Sequence, residues 1–132
     1  MPKIKVLVAN RPRLLRELIS GMLAEQTDIE AVEIPESNAF SEEMIASIKR
    51  FSPNFVITTL EDNGLSKPFI SLLTSLPRLR IIAIATHADN CFLFQDHLGT
   101  PDSRVQLSEK GILDLLRSRN PRSEKPPLLK AG

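Results

Sequence analysis

The chain has 132 residues, 42% apolar and 25% charged, which suits one soluble domain around one hydrophobic core. Its 17 basic and 16 acidic residues leave a net charge of +1, which excludes a bulk electrostatic drive toward nucleic acid or anionic lipid. The single cysteine, Cys91, excludes an internal disulfide framework, and no apolar run approaches the ~20 residues of a membrane span.

The N-terminus passes directly into Ile4–Ala9, a β-branched apolar run that predicts a strand covered on both faces. With no hydrophobic signal region ahead of that run, and one cysteine, a cytoplasmic location is expected. Asn10-Arg11-Pro12 ends the strand, and Pro12 suits the first turn of a helix. From Arg13 the spacing is helical, with Leu14, Leu15, Leu18, Ile19, Met22 and Leu23 in one stripe and Arg16, Glu17, Ser20 and Glu25 off it. Gln26-Thr27-Asp28 is a turn, and Ile29–Ile34 reads as a second strand closed by Pro35. Phe40, Met44, Ile45, Ile48 and Phe51 predict a second helix, with Ser41 as its N-cap.

Ser52-Pro53 breaks that helix. Phe55–Thr59 is the third strand, and the polar loop through Gly64 follows it. Pro68 opens a short helix over Phe69, Ile70, Leu72, Leu73 and Leu76, which Pro77 ends. Arg80–Ala85 is the fourth strand, with Thr86–Asn90 as its exit loop. Cys91–Leu98 is expected as a short helix and Gly99–Asp102 as a turn. Arg104–Leu107 is a more polar fifth strand, suited to an edge, and Ser108 caps a last helix that runs to about Arg119. Residues 120–132 are proline-rich and charged and read as a flexible tail or linker, so the domain is expected over residues 1–119.

Strands alternating with helices predict a three-layer α/β fold with about five helices. The expected sheet has five parallel strands in the flavodoxin-like order 2-1-3-4-5. Ligands in such sheets bind beyond the carboxyl ends of the strands, at the point where strand order reverses. The mouth of any site is therefore expected at Asn10, Arg11, Thr59, Glu61, Asp62, Ala85, Thr86 and the residue after Leu107, which is Ser108.

The segments VLVANRPRLLRELISGMLAEQTDIEAVEI, PNFVITTLEDNGL and IIAIATHAD resemble the first helix region, the phosphorylation strand and the fourth strand of bacterial response-regulator receiver domains. The resemblance covers Ile4 to Arg117. In that family an acidic pair after the first strand holds Mg²⁺, an Asp ending the third strand accepts a phosphoryl group, and a Thr or Ser after the fourth strand and a Lys after the fifth bind the phosphoryl oxygens. Laid on this pattern, the acidic pair falls on Asn10 and Arg11, the acceptor on Thr59 and the hydroxyl on Ala85, with Thr86 next. The Lys position falls near Ser108. The resemblance implies a degenerate pseudo-receiver, because phosphoryl transfer needs a cation to neutralise developing charge and a positioned nucleophile. No metal, cofactor or enzymatic activity is expected, and Thr59 has no base beside it.

The function expected is a phosphorylation-independent signalling module that acts through protein contacts, either alone or ahead of an output domain in a longer chain. A sensor taking an anionic small molecule in the vacated mouth is the alternative, and a phosphorylatable receiver a second one. Arg11 is expected either to pair with Glu61 or Asp62 and lock the loop, or to be solvated. His87 and His97 read as ordinary loop histidines, and Arg117, Arg119 and Arg122 as a solvated helix end. Phe92, Leu93 and Phe94 are consecutive, so one helix face does not bury all three. In receivers the face of the fourth helix, fifth strand and fifth helix makes dimers and output contacts. By that resemblance Phe92, Phe94, Val105 and Leu116 are expected to meet a protein partner or a second copy, with neither nucleic acid nor membrane involved.

Overall fold

Strand residues here alternate between two apolar clusters, which is what a sheet buried on both faces requires. Val6, Val8, Phe55, Ile57, Ile82 and Ile84 belong to one cluster, and Leu7, Val56, Ile81 and Ala83 to the other. The computed structural model describes residues 3–10, 13–34, 42–60, 67–76, 78–95 and 103–117, of which 42–45, 47 and 67–69 are described by backbone alone. The strands are β1 (Ile4–Val8), β2 (Ile29–Glu33), β3 (Phe55–Thr59), β4 (Arg80–Ala85), β5 (Asn90–Phe94) and β6 (Ser103–Gln106). The helices are α1 (Arg13–Ala24), α2 (Glu42–Phe51), α3 (Lys67–Ser75) and α4 (Glu109–Arg117), with a 3-10 turn at Thr86–Ala88. Helices α1 and α4 supply Ile19, Leu23, Ile112, Leu115 and Leu116 to the first cluster, and α2 and α3 supply Ile48, Leu72 and Leu73 to the second. The result is the expected three-layer α/β arrangement.

The sheet has six strands in the order β2-β1-β3-β4-β5-β6. Strands β2, β1, β3 and β4 are parallel, in the sequence-predicted order. The rest of the expected sheet needs correction. Residues 90–94 form a strand antiparallel to β4, where a helix over Cys91–Leu98 was expected. The expected fifth strand is β6, paired antiparallel to β5 and not seated beside β4. The sheet is therefore mixed, and the five-stranded parallel form is not what the chain adopts.

The physical reason lies in the apolar run. As a strand, Cys91 and Leu93 face the α1/α4 side while Phe92 and Phe94 face the α2/α3 side, so every member finds apolar cover. A tight reversal brings β5 back along β4, with Asp89 in the left-handed region at φ 58°. Asp tolerates that conformation better than most residues. Asp89 also anchors the hairpin to the next segment, its carbonyl accepting from Leu107 N–H at 2.9 Å.

Helix α1 is turned relative to the expected stripe. Arg16, Ile19 and Leu23 are buried, whereas Leu14 is 70% exposed and Leu18 63% exposed. The helix lies mainly against β2, an edge strand, so one flank of a wide apolar stripe has no sheet beneath it. Among the described residues no helix is long and apolar enough to cross a membrane. The expected Ser41 cap, residues 61–64 of the expected polar loop and residues 118–132 lie outside the described residues.

Candidate functional site

Hydrogen bonds between neighbouring strands carry the chain past the sheet and set its carboxyl ends side by side. Ala9 N–H donates to Ile57 O at 2.8 Å, Leu60 N–H to Ile84 O at 2.9 Å and Ile34 N–H to Val8 O at 2.9 Å. Asn10, Thr59 and Ala85 are thereby gathered at the ends of β1, β3 and β4, where strand order reverses between β1 and β3. These three expected residues do come together.

Asn10 is 0% exposed, and both Oδ1 and Nδ2 are enclosed without a hydrogen-bond partner. Buried amides are nearly always paired, so this one marks the mouth as chemically unfinished. Thr59 is partly buried, Ala85 is buried and Thr86 is exposed on the 3-10 turn. The strand ends thus offer an amide, a hydroxyl and a methyl group. Arg11, Glu61 and Asp62 lie outside the described residues, and so does the expected lock between them.

Ser108 is placed differently from the expectation. Because β5 stands between β4 and β6, Ser108 is about 10 Å of sheet away from Ala85. Its hydroxyl is engaged as the α4 cap, accepting from Gly111 N–H at 3.0 Å. The cap itself was legible in the sequence.

Sequence reasoning missed Arg16. Its Nε donates to Glu33 Oε2 at 2.9 Å, and its Nη1 lies 3.5 Å from the Asn10 carbonyl oxygen. A buried guanidinium therefore sits beside the β1 exit. The signal was present, since Arg16 shares a helix face with Ile19 and Leu23 at spacings of three and seven.

The four residues expected to form a contact face divide. Phe94 and Leu116 are buried in the two core clusters and offer no surface. Phe92 and Val105 are partly buried and pack against those clusters. With a strand in place of the helix, the face that carried the expectation is not built. Among the described residues, the large apolar side chains found exposed are Leu14, Leu18 and Val32.

Arg117 is more than a solvated helix end. It grips both oxygens of Asp28, Nε to Oδ2 at 3.0 Å and Nη2 to Oδ1 at 2.9 Å, and also donates to Gln26 Oε1. The guanidinium holds the Asp28 carboxyl below its ordinary value. Burial, helped by the charge of Asp89, pushes the Cys91 thiol up to about 11, so at neutral pH it is a protonated core side chain. His87 is exposed, and His97 lies outside the described residues. Among the described residues no cluster of three or more His, Cys, Asp or Glu side chains is placed to hold a metal. No family model matches the chain, and neither curated proteins nor solved structures give a match.

Proposed function

We propose that the chain is a non-catalytic regulatory module, a pseudo-receiver that signals from the cytoplasm through protein contacts and independently of phosphorylation. The observation that carries this reading is the chemistry of the strand ends. Asn10 stands where the receiver pattern has an acid, and Thr59 where it has a phospho-acceptor. The buried Arg16 guanidinium, paired with Glu33, fills the space beside the Asn10 carbonyl at the β1 exit. A threonine hydroxyl is a far weaker phosphoryl acceptor than the carboxylate the receiver pattern has there.

The exposed leucines of α1 supply the contact surface in this reading, in place of the buried Phe94 and Leu116. The test compares proteins co-purifying with the tagged chain from its native cell across three forms. A partner held by wild type and Thr59→Val but lost from Leu14→Lys/Leu18→Lys supports the proposal. A partner lost from Thr59→Val and kept by the leucine variant overturns it.

A second reading, a small-molecule sensor at the mouth, has one observation in its favour: the enclosed Asn10 amide without partners. A ligand that satisfied it would raise the melting temperature by mass action, and Asn10→Leu would abolish the rise.

A further inference from the structure

Arg80 opens β4 at the end of the sheet opposite the mouth. Register pairs it with Phe55 on β3, and its guanidinium carbon lies 4.5 Å from the centroid of that ring. The ring supports one face of the guanidinium plane and leaves its donor edge to be used. Nη1 is enclosed by protein, yet no acceptor meets it. Burial lowers the Arg80 pKa.

A second enclosed donor lies beside it. Phe94 pairs with Ile81, so Gln95, the next residue, stands across from Arg80. Strand alternation turns both side chains to the α1/α4 side, with Ile82 and Leu93. Gln95 is 7% exposed, and its Nε2 also lacks an acceptor. Two buried donors without acceptors at one edge are uncommon, because folded chains pair nearly all such groups.

A cleft of about 300 Å³ opens here, lined in part by Lys3, Asn54, Phe55, Arg80, Leu116 and Arg117. Among the described residues, its lining includes three cations and no acid. Arg117 is already taken by Asp28. Asn54 Oδ1 accepts from Lys5 N–H at 2.8 Å, so the unused part of that amide is its NH₂ donor. Among the described residues, Arg80 Nη1 and Gln95 Nε2 are donors without acceptors at this edge. A water molecule would supply an acceptor but would leave the positive charge uncompensated.

We propose that this cleft binds a small oxyanion ligand through its carboxylate or phosphate group, with Arg80 donating to the oxygens and Lys3 and Asn54 at the rim. The planar Arg80 fork matches either group by two parallel hydrogen bonds. The volume is at the lower end of the range for small-molecule sites. The site lies at the opposite end of the strands from Asn10 and Thr59, so it stands or falls separately from the regulatory reading.

The test follows backbone amide shifts of the ¹⁵N-labelled full chain during titration with inorganic phosphate and, separately, with succinate. Sodium chloride at matched ionic strength is the control. Saturable shifts at Asn54, Phe55, Arg80 and Gln95 with either probe, absent in chloride, are the expected result. Saturation by one probe alone identifies its group as the one recognised. Arg80→Met should weaken apparent affinity about tenfold or more, and Arg80→Lys should weaken it less, because lysine keeps the charge and loses the fork. If Arg80→Met fails to fold, Lys3→Gln, on an exposed side chain, should still weaken binding by about threefold. Shifts that rise linearly with both probes and match chloride overturn the proposal. So does saturable binding of unchanged affinity in Arg80→Met, or in Lys3→Gln where that variant stands in.

Discussion

Arg16 Nε donates to Glu33 Oε2 across 2.9 Å, from an arginine side chain only 6% exposed. The pair ties the first turns of α1 to the end of β2 and sets how the helix rolls on the sheet edge. With Arg16 turned inward, Leu14 and Leu18 turn outward.

Glu33→Gln keeps the shape of that contact and removes its charge, leaving a buried guanidinium against a neutral acceptor. Urea unfolding should show a loss of about 1–3 kcal/mol. Glu30→Gln, exposed on the same strand, should stay within about 0.5 kcal/mol of wild type.

The same roll separates neighbours on α1. Ile19→Ala deletes a core side chain and should cost about 2–5 kcal/mol, with the exact loss set by how far the site collapses. Leu18→Lys, one residue earlier, should change stability by no more than about 0.5 kcal/mol. Thermal and urea melts of the two variants measured together check the orientation of the helix.

Two glycines should respond oppositely to alanine. At Gly21, exposed in α1, an added Cβ meets nothing within 4 Å, so Gly21→Ala should stabilise by about 0.5–1 kcal/mol through helix propensity. At Gly111, in the first turn of α4, the same atom overlaps the Gln106 carbonyl oxygen. That neighbour is backbone and has little room to move, so Gly111→Ala should destabilise by about 1–3 kcal/mol despite the better propensity. Urea midpoints of the two variants supply the comparison.

The first four strands and the helices between them were legible because each is long enough to show its period. Arg80–Ala85 and Phe55–Thr59 are apolar runs between breakers, and α1 has helical spacing over three turns. The run at Cys91–Phe94 was not legible, because a short apolar stretch fits a buried helix as well as a two-sided strand. Three large consecutive side chains were the better clue, since only a sheet covered on both faces shelters them all. Within the site, Asn10, Thr59 and Ala85 were readable as strand ends. Arg16 carried a spacing signal, but the partner that lets a charged side chain be buried there stands 17 positions away and does not show in the helix pattern. Arg80 was hidden for the same reason: the ring beneath it and Gln95 across from it come from other strands.

Cys91 gives a pH dependence. Its pKa is raised from 9.0 to about 11, so the folded chain holds the thiol proton more tightly than the unfolded chain. The contribution is fully present below pH 9 and is lost as pH rises through 9 to about 11. The stability difference between wild type and Cys91→Ala, followed from pH 8 to 11, should therefore move against wild type across that window.

Intact-mass spectrometry after incubating the wild-type chain with acetyl phosphate and Mg²⁺ bears most directly on the regulatory reading. An unchanged mass is the result the regulatory reading predicts, because an amide, a hydroxyl and a methyl group stand at the ends of β1, β3 and β4 where the receiver pattern has a carboxylate pair, an Asp and a hydroxyl. A Mg²⁺-dependent phosphoryl adduct on any residue of that mouth would contradict it.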